Sequence, residues 1–102
     1  MMRIQTDDTS MWVEGHPHLR AVATETGWRV SWLGGVLDQN RAMTAMVLAG
    51  VLTDGCAPGH RVWRHVESWS GELGLMALEA RQMVQDTNDR AAQDTDVEGD
   101  AL

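Results

Sequence analysis

Two short pairs of metal-binding residue types are the first candidates for chemistry in this chain. His16 and His18 flank a proline, and Cys56 precedes His60 by four positions. Imidazole and thiolate groups bind zinc, but a tetrahedral site needs four ligands, so the two pairs would have to meet. Neither spacing matches the paired ligands of structural zinc sites, and no third residue completes an acid–base or Cys–His catalytic arrangement. The sequence therefore predicts no catalytic residue, no metal and no cofactor.

Arginine and tryptophan cluster in the segment HRVWRHVESW, residues 60–69. Arg61 and Arg64 fall in the first turns of a predicted helix, where the helix dipole disfavours cations. Trp63 lies off the apolar stripe, and tryptophan with arginine is the composition enriched at protein interfaces. Two interpretations stay open: the cluster binds a partner, or Trp63 packs under a hairpin while the arginines pair with Glu67 or the acidic C-terminal residues. The residues that we select for partner binding are Arg61, Trp63, Arg64 and Trp12, followed by Arg20 and Arg29.

The stretch SWSGELGLMALEARQMV has the order of residue types found in a helix-turn-helix motif: a small residue, then Glu-Leu-Gly-Leu, then a second helix. Met76, however, occupies the position where such motifs usually place a Ser or Thr cap. The recognition helix would offer only Arg81, Gln82 and Gln85, whereas DNA binding needs several cations around that helix. A DNA-binding regulator that uses residues 68–85 is therefore the alternative to protein–protein binding.

The negative charge of the chain is concentrated near its end. The formal net charge is −7, and residues 86–102 contribute −5, from six acidic residues and one arginine. Acidity lowers the affinity for nucleic acid and favours solubility. We expect residues 86–102 to form a disordered acidic tail. An acidic inhibitor that mimics DNA is a further alternative, if these carboxylates form an ordered stripe.

Composition predicts a small folded protein of the cytoplasm. The chain has 102 residues, of which 43% are hydrophobic, and all eight basic residues are arginine. Five tryptophans and seven methionines supply the bulk that phenylalanine and tyrosine usually provide. A single cysteine excludes an intramolecular disulfide and fits a reducing compartment. The sequence shows no signal peptide, and its longest apolar run is far shorter than the about 20 residues that cross a bilayer.

Alternating residues at 18–24 and 28–33 predict a β-hairpin, with Gly27 closing a three-residue loop. Such a loop would place Arg20 over the ring of Trp32 as a cation–π pair. The cross-strand pairs that it predicts are Thr24 with Trp28, Val22 with Val30, and Arg20 with Trp32. The core side of this hairpin would carry Val22, Trp28, Val30 and Trp32.

Three helices should follow the hairpin. The first begins at the N-cap Asp38 and runs to about Thr53, and the others span 61–73 and 76–85. The first helix is apolar on nearly all sides, so the rest of the chain or a second copy must cover it. Gly34-Gly35 precedes it without a third glycine, so we interpret this pair as a strand-to-helix hinge rather than a ligand loop.

Two segments carry a resemblance to other proteins: VSWLGGVLDQNRAMTAMVLA, residues 30–49, and HRVWRHVESWSGELGL, residues 60–75. They resemble a group of small uncharacterised proteins of actinobacteria, their phages and integrative elements, over roughly residues 28–78. The resemblance implies a mobile-element or host-accessory context and brings no catalytic residue.

The sequence thus predicts an α+β fold, with an N-terminal antiparallel hairpin and room for a third short strand at 11–15, packed on three helices. We expect a flexible segment at 1–10, one domain at 11–85 and the tail at 86–102. Functionally, we expect a non-catalytic cytoplasmic protein, phage or mobile-element encoded, that binds a host protein or a second copy of itself as a homodimer.

Overall fold

One antiparallel sheet is followed by three helices. The computed structural model describes the backbone of residues 4–101 and the side chains of residues 4–93. Each strand of the sheet pairs with its neighbour in the sequence. The elements are β1 (Ile4–Thr6), β2 (Ser10–Val13), β3 (His16–Thr24), β4 (Gly27–Val30), α1 (Gln39–Thr53), α2 (Trp63–Glu72) and α3 (Ala77–Ala101). The α+β class is confirmed, and the described sheet has four strands where we expected two or three.

The additional strand, β1, lies in the segment that we expected to be flexible. Ile4 pairs with Val13 of β2. Asp7 holds the turn between these strands, because its Oδ1 accepts hydrogen bonds from the backbone N–H groups of Thr9 (2.9 Å) and Ser10 (2.8 Å). The bond from Thr9 is the main cause that lowers the pKa of Asp7 below its usual value. Residues 4–6 and Ser10 therefore belong to the sheet, within the segment that we expected to be flexible, while residues 1–3 lie outside the described residues.

The hairpin of β3 and β4 has a register that differs by one residue from the predicted one. Thr24 pairs with Gly27, and Ala21 pairs with Val30. The loop is shorter because the hydroxyl of Thr24 donates to the carbonyl of Gly27 (3.0 Å). A one-residue shift turns every side chain of a strand to its other face. Leu19 and Ala21 of β3 are therefore fully buried, whereas Val22 is 39% exposed.

The prediction of a cation–π pair between Arg20 and Trp32 is wrong for the same reason. Trp32 is buried, and its indole N–H donates to the backbone carbonyl of Ala45 in α1 (3.2 Å). Arg20 points to the opposite side of the sheet, where its cross-strand partner is Trp12. The core-facing side of β4 is as predicted, since Val30 is buried and Trp28 packs against the core.

The connection from β4 to α1 folds back along the outer edge of β4. Trp28 and Leu37 exchange two backbone hydrogen bonds of 2.8 Å each. This contact brings the backbone of Leu37 very close to Gly27: a Cβ atom on Gly27 would lie 2.7 Å from the Leu37 carbonyl oxygen. Gly27 also has a φ of +151°, which side-chain-bearing residues rarely adopt. Glycine is thus required there by both the backbone conformation and the close approach.

Helix α1 lies at the centre of the fold. Asp38 is its N-cap as predicted, since its Oδ1 accepts a hydrogen bond from the N–H of Arg41 (2.8 Å). The helix contacts all four strands, α2 and α3. Its buried residues are Ala42, Ala45, Met46, Leu48, Ala49, Gly50 and Leu52. One chain thus covers most of this apolar surface, while Met43 stays 49% exposed. A homodimer through α1 stays a prediction.

Helix α2 starts at Trp63, two residues after the predicted start. The side chain of His60 supports this end, because its Nδ1 accepts a hydrogen bond from the N–H of Val62 (3.1 Å). Val66 and Ser70 face inward and are fully buried. The helix packs against α1 and α3 and contacts none of the described strands.

Helix α3 extends past Gln85, where we expected a helix end followed by a disordered tail. The sequence has no glycine or proline between Asp86 and Val97 that would stop it. Asn88 also ties this part of the helix to the domain: its amide nitrogen donates to the Thr53 hydroxyl (3.1 Å), and its oxygen accepts from His18. The predicted helix end is therefore corrected, and the side chains of residues 94–102 lie outside the described part. Among residues 4–101, no helix has both the length and the apolar character that a bilayer crossing requires.

Replacing Gly27 tests the close approach of the connection to β4. We expect Gly27→Ala to lower the free energy of unfolding by about 2 kcal/mol or more, because strain and a backbone clash add. Gly15→Ala is the matched control, since Gly15 has a φ of +83° but no atom within 4 Å of its added Cβ. Urea denaturation measures both, and equal losses in the two variants would contradict the close approach.

Replacing Ser70 tests whether its buried hydroxyl group is unsatisfied in the core. Its hydroxyl is buried without a hydrogen-bond partner among the described residues. We expect Ser70→Ala to leave the free energy of unfolding unchanged or raise it by up to about 1 kcal/mol, because an unsatisfied buried polar group is removed. Thermal and urea unfolding measure the change, and a loss above about 1 kcal/mol would show that the hydroxyl has a stabilising partner.

Candidate functional site

The side of the sheet that faces away from α1 brings together three of the six residues selected from the sequence. Met11, Val13, Leu19, Ala21 and Val30 are buried, and side chains alternate along a strand, so the residues between them face outward. We call this surface the outer face; it carries Trp12, Arg20, Val22 and Arg29. The register places Trp12 beside Arg20 and Val22 beside Arg29.

Trp12 differs from the other partly buried tryptophans in that it lies outside the core cluster. It is half-buried, yet it is absent from the hydrophobic side chains that pack against the core among the described residues. The other partly buried tryptophans, Trp28, Trp63 and Trp69, all pack against that core. The partly exposed indole ring of Trp12 therefore lies on the outer face, outside the core cluster.

A groove of about 390 Å³ continues from the outer face toward the connection between β4 and α1. Arg20 and Arg29 line it, together with Ser31, Leu33 and the Gly34-Gly35 pair, and no acidic side chain among the described residues does. Among the described residues, neither guanidinium forms an ion pair. The groove is thus locally positive on a chain whose formal net charge is −7.

The backbone of this groove also presents free hydrogen-bond donors. Within the described part of the chain, the N–H groups of Gly34 and Gly35, which line the groove, have no acceptor. Ser31 is held in place, since its Oγ accepts from the N–H of Arg20 (3.0 Å) and its own N–H donates to the Arg20 carbonyl (2.8 Å). The Gly34-Gly35 pair, which we interpreted as a hinge, therefore also forms a wall of the groove.

The other three selected residues lie at the start of α2, on a separate surface, because α2 contacts none of the described strands. Trp63 packs against the core, which favours the interpretation that it is a structural residue. Arg61 and Arg64 are exposed, and neither forms an ion pair with Glu67 or any other described residue. This surface thus carries two exposed arginines beside the partly buried Trp63, and next to them His65 stacks on Trp69 with ring centres 5.6 Å apart.

The histidine and cysteine pairs do not meet. His16 and His18 contact each other edge to face, with ring centres 5.7 Å apart, and His18 donates to Asn88. Cys56 is buried beside a separate hollow of about 250 Å³ that His60 also lines. Within the described side chains, no group of three or more His, Cys, Asp or Glu residues could hold a metal ion.

In the corner at residues 68–85, α2 and α3 are joined by residues 73–76, where Gly74 has a φ of +75°. The described side chains of α3 include three acids and two arginines, whereas DNA binding needs several cations around the recognition helix. Gln82 is also engaged, since its amide donates to the Asp86 carboxylate (2.8 Å). DNA binding by this corner stays a prediction that no contact in the structure favours.

Sequence reasoning missed Val22 and the free amides of the connection as parts of this surface. The predicted register placed Val22 in the core, so its exposure could not be foreseen. No family model matches the chain, and comparisons with curated proteins and with solved structures likewise gave no match. The chain's own residues therefore carry the functional argument.

The Cys56 thiol gives a test of the described burial. Burial raises the pKa of this thiol, and the positive charge of Arg81 offsets part of that effect. Since the thiolate is the reactive form, we expect Cys56 of the native protein to react with a disulfide reagent such as DTNB at least about tenfold more slowly than in urea. As Cys56 is the single cysteine, the signal is unambiguous, and equal rates in the two states would contradict the burial.

The raised pKa of the Cys56 thiol also makes its contribution to the free energy of unfolding depend on pH. A folded-state pKa above the unfolded value means that the contribution is fully present below the unfolded pKa and is lost as pH rises through the folded pKa. Stability measured from neutral to alkaline pH should therefore fall more in the native chain than in Cys56→Ala.

Proposed function

We propose that this chain is a small, non-catalytic binding protein that acts by protein–protein contact through the outer face of its sheet. The observation that carries this proposal is the state of Trp12, which is half-buried without packing against the core and lies beside Arg20. Tryptophan and arginine are the residue types most enriched among the side chains that dominate binding energy.

The arrangement on the outer face fits the usual anatomy of an interface. Trp12 and Val22 supply an apolar centre, and Arg20 and Arg29 lie around it with their guanidinium groups unpaired within the described chain. A partner that covers Trp12 would remove its ring from water, which favours association. The arginines would then fix the orientation of the partner and raise the rate of encounter.

The partner that we propose is another protein of the same cytoplasm. The resemblance to mobile-element proteins supports a host protein as that partner, because such elements act on their host. A second copy of the chain that uses the same outer face is the other protein partner compatible with this surface. Binding would require neither a metal nor a cofactor.

The proposal is tested by comparing two surfaces of the same chain. Binding partners are captured from a lysate of the host, purified and titrated against the chain by calorimetry. We expect Trp12→Ala to weaken binding by about tenfold or more, since central aromatic residues of an interface contribute about 2 kcal/mol or more. The fold should be retained, because Trp12 does not pack against the core.

The matched control is the double variant Arg61→Glu/Arg64→Glu, which reverses two exposed charges at the start of α2. We expect it to bind the purified partner with an affinity within about twofold of the original chain, as expected for charges outside an interface. A loss in this variant with no effect of Trp12→Ala would assign binding to α2 and contradict the proposal. Strong DNA binding in a gel-shift experiment at low salt, weakening steeply with added salt, would instead support the helix-turn-helix alternative.

A further inference from the structure

We propose that the groove at the end of the outer face recognises the carboxylate groups of an acidic, extended segment of the partner protein. This inference rests on the proposed function and specifies the chemistry of the partner. The site consists of the guanidinium groups of Arg20 and Arg29, the Ser31 hydroxyl and the backbone N–H groups of the Gly34-Gly35 loop.

The polar groups that the groove offers to a ligand are hydrogen-bond donors. Two guanidinium groups lack an ion-pair partner, and the consecutive N–H groups of Gly34 and Gly35 lack an acceptor within the described chain. The oxygen of Ser31 already accepts from the Arg20 backbone, so its own proton is free to be donated. Guanidinium groups and consecutive free amides are the groups that proteins use to bind oxyanions.

The spacing of the two arginines indicates a chain of carboxylates rather than a single anion. Val22 is directly opposite Arg29, so Arg20, two residues before Val22, is the diagonal neighbour of Arg29. Such diagonal neighbours lie about 7–8 Å apart. Alternate side chains of an extended peptide repeat at nearly the same distance, about 6.5–7 Å. Two acidic residues separated by one position could therefore meet one arginine each.

The charge of the whole chain favours a short acidic segment over a polyanion. With a formal net charge of −7, the chain repels a long nucleic acid, whereas a segment with a few carboxylates interacts mainly with the local positive groove. Val22 and Leu33 also line the groove and can contact the methylene groups of glutamate side chains. We therefore assign the groove to a peptide with alternating acidic residues.

The test uses the full chain and a fluorescein-labelled peptide of alternating glutamate and valine, with the glutamine–valine peptide as the neutral probe. Fluorescence anisotropy should show binding of the acidic peptide only, and binding should weaken with salt because exposed charges are screened. We expect Arg20→Gln/Arg29→Gln to weaken it by about tenfold, which is typical of the loss of two exposed charge pairs. Arg61→Gln/Arg64→Gln removes the same charge elsewhere and should leave binding unchanged.

Several outcomes would overturn the inference. Equal losses in the two double variants would show unspecific attraction to positive charge. Competition by inorganic phosphate as strong as that by the unlabelled peptide, at equal ionic strength, would assign the groove to phosphate. Tighter peptide binding after Asp94→Asn/Asp96→Asn/Glu98→Gln/Asp100→Asn would show that the chain's own acidic segment is its occupant. If no acidic peptide binds while Trp12→Ala still abolishes partner binding, the proposed function stands and this inference falls.

Discussion

The burial of most of the apolar surface of α1 is the constraint on which the rest of this structure depends. A helix with apolar residues around most of its circumference is stable in water only if several elements cover it. Here the sheet, α2 and α3 provide that cover within one chain. Small residues at Ala42, Ala45 and Ala49 are fully buried and let these elements approach the helix closely. Trp32 adds a specific contact through its hydrogen bond to the Ala45 carbonyl.

The same constraint determines where binding can occur. Because one side of the sheet must cover α1, the apolar residues of β2, β3 and β4 turn inward, and the residues between them form the outer face. Arg20, Val22 and Arg29 are exposed there as a direct consequence of the register. The connection that returns from β4 to α1 closes one end of this face and leaves its own amides free. Fold and candidate site thus follow from one packing arrangement.

Local patterns in the sequence were sufficient to predict α1, its N-cap Asp38 and the core-facing side of β4, because each of these features depends on residues that are close in the chain. The hairpin register was not predictable from spacing, since it depends on the Thr24 contact with Gly27 and on burying Leu19 against α1. The length of α3 was missed because the apolar pattern ends near Val84, while Asn88 ties the helix to Thr53 and His18 through polar contacts. The outer face could be predicted residue by residue, as for Trp12, Arg20 and Arg29, but not as a surface, which requires the register.

Native-state hydrogen exchange of the α1 amides, measured at low and at high protein concentration, tests the central claim most directly. If α1 is covered by its own chain, the amides of residues 42–52 should be among the slowest to exchange, opening only with global unfolding, and their rates should not change with concentration. Exchange of these amides faster than that of β2 and β3, or slowing markedly as concentration rises, would contradict this account, because it would mean that a second chain completes the cover of α1.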